Sequence, residues 1–280
     1  MPELPELQAH AERLDAGYAT ATLARFTPLT FTALKTAVPA ATDAQGHDLV
    51  FVGRRGKHLL MDFGTLTFVV HLMQGGRVKE EPVGKQPTKP KSGVARWTFD
   101  DGRALLLTEA GTERRAGVWA VGGDPEGQPP LEGLGPDADT IDAAHLLDLL
   151  HAHPMRLHGW LRDQRVLAGL GRRLANEICH RAKLSPFSST AKLSSTECDA
   201  LFEAIHASIN ESLAYERGRD NMSSSKERPG SVHHREGETC PVCGDKVRAV
   251  EYRSYTIDYC PTCQTGGKVL ADNTTSKFLK

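Results

Sequence analysis

Met1-Pro2-Glu3-Leu4-Pro5-Glu6-Leu7-Gln8-Ala9-His10-Ala11-Glu12-Arg13-Leu14-Asp15-Ala16-Gly17 opens the chain. Leu4, Leu7, Ala11 and Leu14 recur at helical spacing, and Gly17 can end the helix. Proline and glutamate in a first turn suit an ordinary helix start, because proline presets φ and a carboxylate complements the positive end of the helix dipole. The same residues also admit chemistry. Removal of Met1 leaves Pro2 with a secondary α-amine; an α-amino pKa near ~8, against ~10.4 for a lysine, makes it a usable nucleophile at neutral pH. Attack of that amine on an aldehydic or acetal carbon gives an iminium ion directly. Glu3, beside it, can supply or take the proton.

Strand signals follow this helix. Phe51-Val52, Leu59 to Phe63, Leu66 to Leu72, Arg96 to Phe99, Ala104 to Leu107 and Val118 to Val121 are short apolar or alternating runs. Asp62-Phe63-Gly64-Thr65 and Asp100-Asp101-Gly102-Arg103 read as hairpin turns between them. Such spacing predicts a β-sandwich or a barrel. The Gly- and Pro-rich stretch Gly122 to Pro136 marks a boundary. Helical patterns take over beyond it: Ile141 to Leu150, then Arg172 to Ala182 launched from Gly169-Leu170-Gly171. A third helix opens with the capping box Ser194-Ser195-Thr196-Glu197 and carries the stripe Leu201, Ile205, Ile209, Leu213. Arg217 to Glu238 is polar, Ser-rich and charged, and reads as a mobile loop.

The composition suits a globular chain of 280 residues, with room for more than one domain. No apolar run is long enough for a membrane span and the acidic start is no signal peptide, so a cytoplasmic protein is expected. A net charge of −1 does not advertise nucleic-acid binding. The distribution is more telling: residues 1–150 hold 15 Lys+Arg against 20 Asp+Glu, and residues 151–280 hold 19 against 15. That bias permits a phosphate-facing surface in the second half.

Cys240-Pro241-Val242-Cys243 and Cys260-Pro261-Thr262-Cys263 form a C-x2-C-x16-C-x2-C array, within the spacing for a four-cysteine zinc site. Two disulfides or redox pairs are the competing readings, and the expected compartment disfavours them. Four thiolates leave no open coordination position, so the Zn²⁺ is expected to be structural. The ribbon would carry Arg248, Tyr252, Arg253 and Tyr255, a basic and aromatic surface suited to nucleic acid.

Taken together, Pro2-Glu3-Leu4-Pro5-Glu6, Gly53-Arg54-Arg55-Gly56-Lys57, Leu134-Gly135-Pro136, the Gly169-Leu170-Gly171 turn and the finger ending in Cys263-Gln264 resemble the formamidopyrimidine-DNA glycosylase/endonuclease VIII family of base-excision repair enzymes. The resemblance spans nearly the whole chain. It implies an α+β multidomain fold: an N-terminal helix plus β-sandwich over 1–125, a helix–two-turns–helix DNA-binding domain over 137–216, the mobile loop over 217–237, and a four-cysteine zinc-finger β-hairpin over 238–270. It implies that Pro2 attacks C1′ of the damaged nucleoside, that Glu3 is the general acid/base and that Glu6 supports the site. Lys57 would contact phosphate and assist β-elimination; Arg253 would hold phosphates and promote δ-elimination. His71, Met73, Gln74, Arg114, Arg115 and Arg172 would contact DNA. The implied partner is damaged double-stranded DNA, bound by a monomer that flips the base out and fills the gap with side chains. The alternative is a catalytically silent lesion-binding protein of the same fold.

Four positions depart from the family pattern. Arg172 stands where the helix turn usually has Asn, and an arginine also binds phosphate. Arg114-Arg115-Ala116-Gly117 replaces Arg-Arg-Phe-Gly, so the aromatic wedge is missing and Leu72, Met73 and Gln74 are the expected substitutes. The finger arginine usually lies five residues before the third cysteine, where this chain has Tyr255; Arg253 lies seven before Cys260. The loop ahead of the finger is shorter than the one that caps 8-oxoguanine. The missing wedge and the shorter loop weaken the case for 8-oxoguanine and favour oxidised pyrimidines, ring-opened purines or another modified base as substrates.

Overall fold

The computed structural model describes residues 1–88, 90–111, 115–222, 227–252 and 255–270. The chain divides into two compact units: Met1–Gly133 with Glu216–Met222, and Leu134–Tyr215 with the described residues beyond 222.

The first unit begins with helix α1, Leu4–Tyr18, followed by strands β1 (Leu23–Pro28), β2 (Phe51–Arg55), β3 (His58–Asp62), β4 (Thr67–His71), β5 (Gly76–Glu81), β6 (Gly93–Phe99), β7 (Ala104–Glu109) and β8 (Gly117–Val121). They form two antiparallel four-stranded sheets, ordered β1-β6-β7-β5 and β2-β3-β4-β8. Between the expected sandwich and barrel, the chain adopts the sandwich. Aromatic rings from both sheets fill its middle: Phe26 stacks on Phe68 at 4.8 Å, and Trp97 meets Phe26 at 5.2 Å and Phe68 edge-on at 5.8 Å. Such pairs add about 0.5–1.5 kcal/mol each beyond the area they bury.

Helix α1 buries Leu7, Ala11, Leu14 and Tyr18 in this core. It runs one residue past Gly17 because Tyr18 is fully buried and its ring packs on Phe99 at 5.0 Å. Two hydrogen bonds orient β2 on the helix. Asp15 near the helix end accepts from the Val52 N–H at 2.7 Å, and Gln8 accepts from Arg54 Nε at 3.2 Å. Strand and helix therefore run in opposite directions, and the β2–β3 turn lies toward the start of α1.

The second unit holds α2 (Ala143–Ala152), α3 (Leu157–Trp160), α4 (Arg172–Arg181), α5 (Ser195–Arg217, whose last two residues group with the first unit), the hairpin β9 (Arg248–Glu251) and β10 (Thr256–Tyr259), and α6 (Pro261–Thr265). Asp142 caps α2 through the His145 N–H at 2.8 Å. The expected capping box of α5 is present: Ser194 N–H donates to Glu197 Oε2 at 2.8 Å, and Glu197 N–H to Ser194 Oγ at 3.3 Å. Within the stretch read from the sequence as a mobile loop, residues 231–233 are held by Glu177 of α4. Its carboxylate accepts the N–H groups of Ser231 (2.8 Å), Val232 (3.1 Å) and His233 (2.9 Å). Among the described residues, no helix is long and apolar enough to cross a membrane.

Candidate active site and nucleic-acid interface

Pro2, Glu3 and Glu6 are all buried, beneath a Met1 that is 42% exposed. Glu3 is the N-cap of α1. Its side chain accepts the Glu6 N–H, and Glu6 Oε2 accepts the Glu3 N–H at 3.0 Å. This reciprocal capping box satisfies helix-end donors that would otherwise be orphaned. It also fixes the two carboxyls that directly follow Pro2 in the chain.

Lys57 follows Gly56 in the β2–β3 turn; Gly56 has φ +54°, a conformation that favours glycine. Lys57 is 6% exposed. In the ladder beside it His58 pairs with His71, and the two rings lie 4.7 Å apart. Burial, the neighbouring His71 and cationic neighbours push His58 down to about 3. Burial and Lys57 push His71 down to about 4. Both rings are thus neutral at physiological pH. His71 Nδ1 is placed at 3.2 Å from the Met73 N–H, as an acceptor.

The β4–β5 turn displays Met73 half-buried and Gln74 exposed. Met73 has φ +51°, unusual for a non-glycine residue and a frequent mark of function. A Cβ on Gly75 or Gly76 would lie 2.1 Å from the Ala110 or Leu72 carbonyl oxygen, so both positions need glycine for the turn to close. Leu72 corrects an expectation. It is 1% exposed and belongs to the sandwich core, so it is no void-filling residue. Arg115 is exposed, while Ala116 is buried and donates its N–H to Glu109 Oε2 at 2.7 Å. Arg114 and Arg253 lie outside the described residues.

In the second unit, Gln164 builds the turn that opens α4. Its Oε1 accepts the Gly169 N–H at 3.0 Å, and its Nε2 donates to the carbonyls of Arg162 (2.8 Å) and Leu170 (2.9 Å). Arg172 is the first residue of the helix, where backbone N–H groups point outward and favour an anion. Its neighbour Arg173 is structural: it is 4% exposed and its Nη2 donates to the Pro229 carbonyl at 2.8 Å.

The two Cys-x-x-Cys knuckles meet. Cys243 Sγ lies 3.3 Å from Cys260 Sγ, and Cys240 Sγ 3.9 Å from Cys263 Sγ. One ligand atom from each of Cys240, Cys260, Cys263 and His180 lies within 4.8 Å of the others. The cysteine sulfurs form a closed, sulfur-rich donor set, which fits structural Zn²⁺. Sequence reading missed His180, whose Nε2 reaches Cys240 Sγ at 3.3 Å. It also missed the buried hub on Asp258, whose Oδ2 accepts from Asn176 Nδ2 (3.0 Å) and the His234 N–H (2.9 Å). Gln264 explains the residue after the last cysteine. It accepts the Cys260 N–H at 2.8 Å and donates to the Leu184 carbonyl at 3.0 Å, pinning the second knuckle to the end of α4.

Comparison with known proteins agrees with this architecture. The formamidopyrimidine-DNA glycosylase N-terminal domain matches residues 1–119, and the formamidopyrimidine-DNA glycosylase H2TH domain matches residues 133–224. The chain belongs to the formamidopyrimidine-DNA glycosylase family. It is 31% identical to the formamidopyrimidine-DNA glycosylase of Thiobacillus denitrificans, across 94% of this chain and 100% of the relative. The crystal structure of MutM (Fpg) from Thermus thermophilus superposes with a TM-score of 0.80 at 27% identity, over 96% of this chain and 100% of that one. Lactococcus lactis Fpg, noncovalently bound to DNA containing an AP site, shares the fold with a TM-score of 0.81 at 19% identity, over 94% and 99% of the two chains.

Proposed function

We propose that this protein is a bifunctional DNA glycosylase/AP lyase that removes an oxidised or otherwise modified base from double-stranded DNA. The observation that carries the reading is the start of α1, where a buried Pro2 directly precedes Glu3 and Glu6, two buried glutamates joined by a reciprocal capping box. The buried Lys57 turn is oriented toward that same end of the helix. A helix start needs neither the buried proline nor the buried lysine.

After removal of Met1, the Pro2 nitrogen lone pair attacks C1′ of the flipped nucleoside. The C1′–base bond breaks, and the base leaves with its electron pair and a proton supplied by Glu3. The attacking nitrogen gives up its own proton; its lone pair then expels O4′, the C1′–O4′ bond breaks and O4′ takes that proton, so the ring-opened sugar is left as an iminium ion on Pro2. That iminium acidifies the C2′ protons; loss of one to a base at the site expels the 3′ phosphate, which is β-elimination. Water then releases the unsaturated sugar and restores the amine. Lys57 holds phosphate in this reading, and Arg253 holds phosphate and promotes the δ step. His71, Met73, Gln74, Arg114, Arg115 and Arg172 contact the duplex, with Met73 and Gln74 entering the gap. One Zn²⁺ on Cys240, Cys243, Cys260 and Cys263 crosslinks the finger and takes no part in the chemistry. The domain limits 1–125, 137–216, 217–237 and 238–270 and a monomeric state complete the proposal.

Borohydride trapping on a duplex with one abasic site tests it, after intact mass has shown Met1 removed. A covalent adduct that disappears in Pro2→Gly, while lesion binding persists, is expected. Full activity in Pro2→Gly would remove the nucleophile. No adduct from a DNA-binding protein with a free Pro2 amine would leave the silent lesion binder.

A further inference from the structure

At the end of the finger hairpin, the Tyr252 N–H donates to the Tyr255 carbonyl at 2.9 Å. The two tyrosine rings stack at 4.7 Å with an interplanar angle of 9°. Two groups from the segment around α3 join them. The His158 ring lies parallel to Tyr255 at 6.2 Å and 12°, and the Arg162 guanidinium sits 4.3 Å from the Tyr255 ring centre. His158 is 1% exposed, and burial together with Arg162 pushes it down to about 3, so it adds no charge to the stack.

Arg162 is half-buried, and among the described residues no carboxylate pairs with it. A guanidinium held rigidly on an aromatic face without an acidic partner retains its capacity to bind an anion. Its backbone is tied to the turn that opens α4, because Gln164 Nε2 donates to both the Arg162 and Leu170 carbonyls. A planar cation and a helix N-terminus, both groups that bind phosphate oxygens, are therefore joined by one side chain. Tyr255 occupies the position where the family pattern places an arginine.

We propose that Arg162, seated on the Tyr255 ring, is a DNA-phosphate-binding residue that supplies from the helical segment a guanidinium the finger pattern lacks at Tyr255. This rests on the glycosylase reading. Tyr255 acts as a positioning residue, since its ring fixes the plane of the guanidinium and costs the arginine its rotamer freedom before DNA arrives.

The test is the salt dependence of affinity of the full-length, zinc-loaded protein for a duplex carrying a tetrahydrofuran abasic analogue. Loss of one phosphate contact lowers the slope of log K against log[salt] by about 1. Arg162→Gln is expected to show that change and to bind about tenfold more weakly. Tyr255→Leu should weaken binding in the same direction, and Tyr255→Phe, which keeps the ring, should match the wild type. Zinc content and the thermal transition identify any misfolded variant. In wild-type protein, the Arg162 Nε–H resonance should also shift when duplex is added. An Arg162→Gln protein that folds and keeps the wild-type slope overturns the proposal, as does an unmoved Arg162 resonance. A wild-type chain that binds no duplex overturns the glycosylase reading as well.

Discussion

Removing Glu177 is expected to loosen the segment before the finger by an amount the structure sets. Its Oε1 accepts from Val232 and His233 and its Oε2 from Ser231, over 2.8–3.1 Å. Hydrogen bonds to a charged group contribute about 1.5–3 kcal/mol each when buried; partial solvent access brings the figure nearer 1, so three give about 3 kcal/mol. Glu177→Ala should therefore lower the local opening free energy at Ser231–His233 by about 3 kcal/mol, and amide exchange there should accelerate ~100-fold. Glu177→Gln keeps one acceptor oxygen, so the loss should be nearer 1 kcal/mol, or roughly fivefold. Hydrogen–deuterium exchange read by mass spectrometry reports both, with α1 peptides as the internal reference. Less than a threefold acceleration in Glu177→Ala would refute the claim that this carboxylate holds the segment.

Three further predictions rest on buried polar groups. Arg96 Nε donates to Glu81 Oε2 at 2.7 Å, with both side chains about nine-tenths buried, so Arg96→Met should cost about 3–5 kcal/mol by stranding the glutamate; thermal unfolding should show Arg96→Met/Glu81→Leu recovering most of it. His10 is pushed down to about 4 by burial and the nearby Arg13, so its neutral form is favoured in the folded state. The unfolded chain binds more protons between pH 4 and 6.5, so stability is full above that window and declines as pH falls through it, by up to ~1.4 kcal/mol per pH unit; His10→Phe should flatten the profile measured by denaturant titration at stepped pH. Cys260→Ser removes a sulfur from the finger cluster, and metal analysis should find bound zinc reduced together with duplex affinity; unchanged affinity in a zinc-free protein would separate the finger from DNA binding.

Elements whose burial follows a simple period were legible in the sequence. Helix α1, the strands β2 to β4, the capping box of α5 and the cysteine array all declare themselves through spacing. Strands β1 and β5 do not. Leu23–Pro28 exposes three of its six residues and carries a register shift against β6, and in Gly76–Glu81 Val78 is the lone aliphatic side chain. Both are edge strands, so pairing, not pattern, makes them strands. Of the proposed site, Pro2, Glu3, Glu6 and Lys57 could be picked out from the sequence because motif and candidate chemistry coincide in short stretches. His180, Asn176, Glu177 and Asp258 were not, because each acquires its partner from a segment tens of residues away. Leu72 was misread for a related reason. Its neighbours Met73 and Gln74 turn outward, and the alternation of β4 carries Leu72 inward.

The finger's own hydrophobic cluster consists of Val232, Cys240, Val247 and Cys260, with Cys263 packed against it. Beyond the β9–β10 ladder, α4 and the residues after it add four anchors: Glu177 on Ser231, Asn176 on Asp258, His180 on Cys240, and the Leu184 carbonyl on Gln264. A fragment cut at residue 238 takes the four clustered cysteines and leaves these anchors behind. The finger is therefore not a cassette that can be grafted onto another protein without α4 and the residues that follow it.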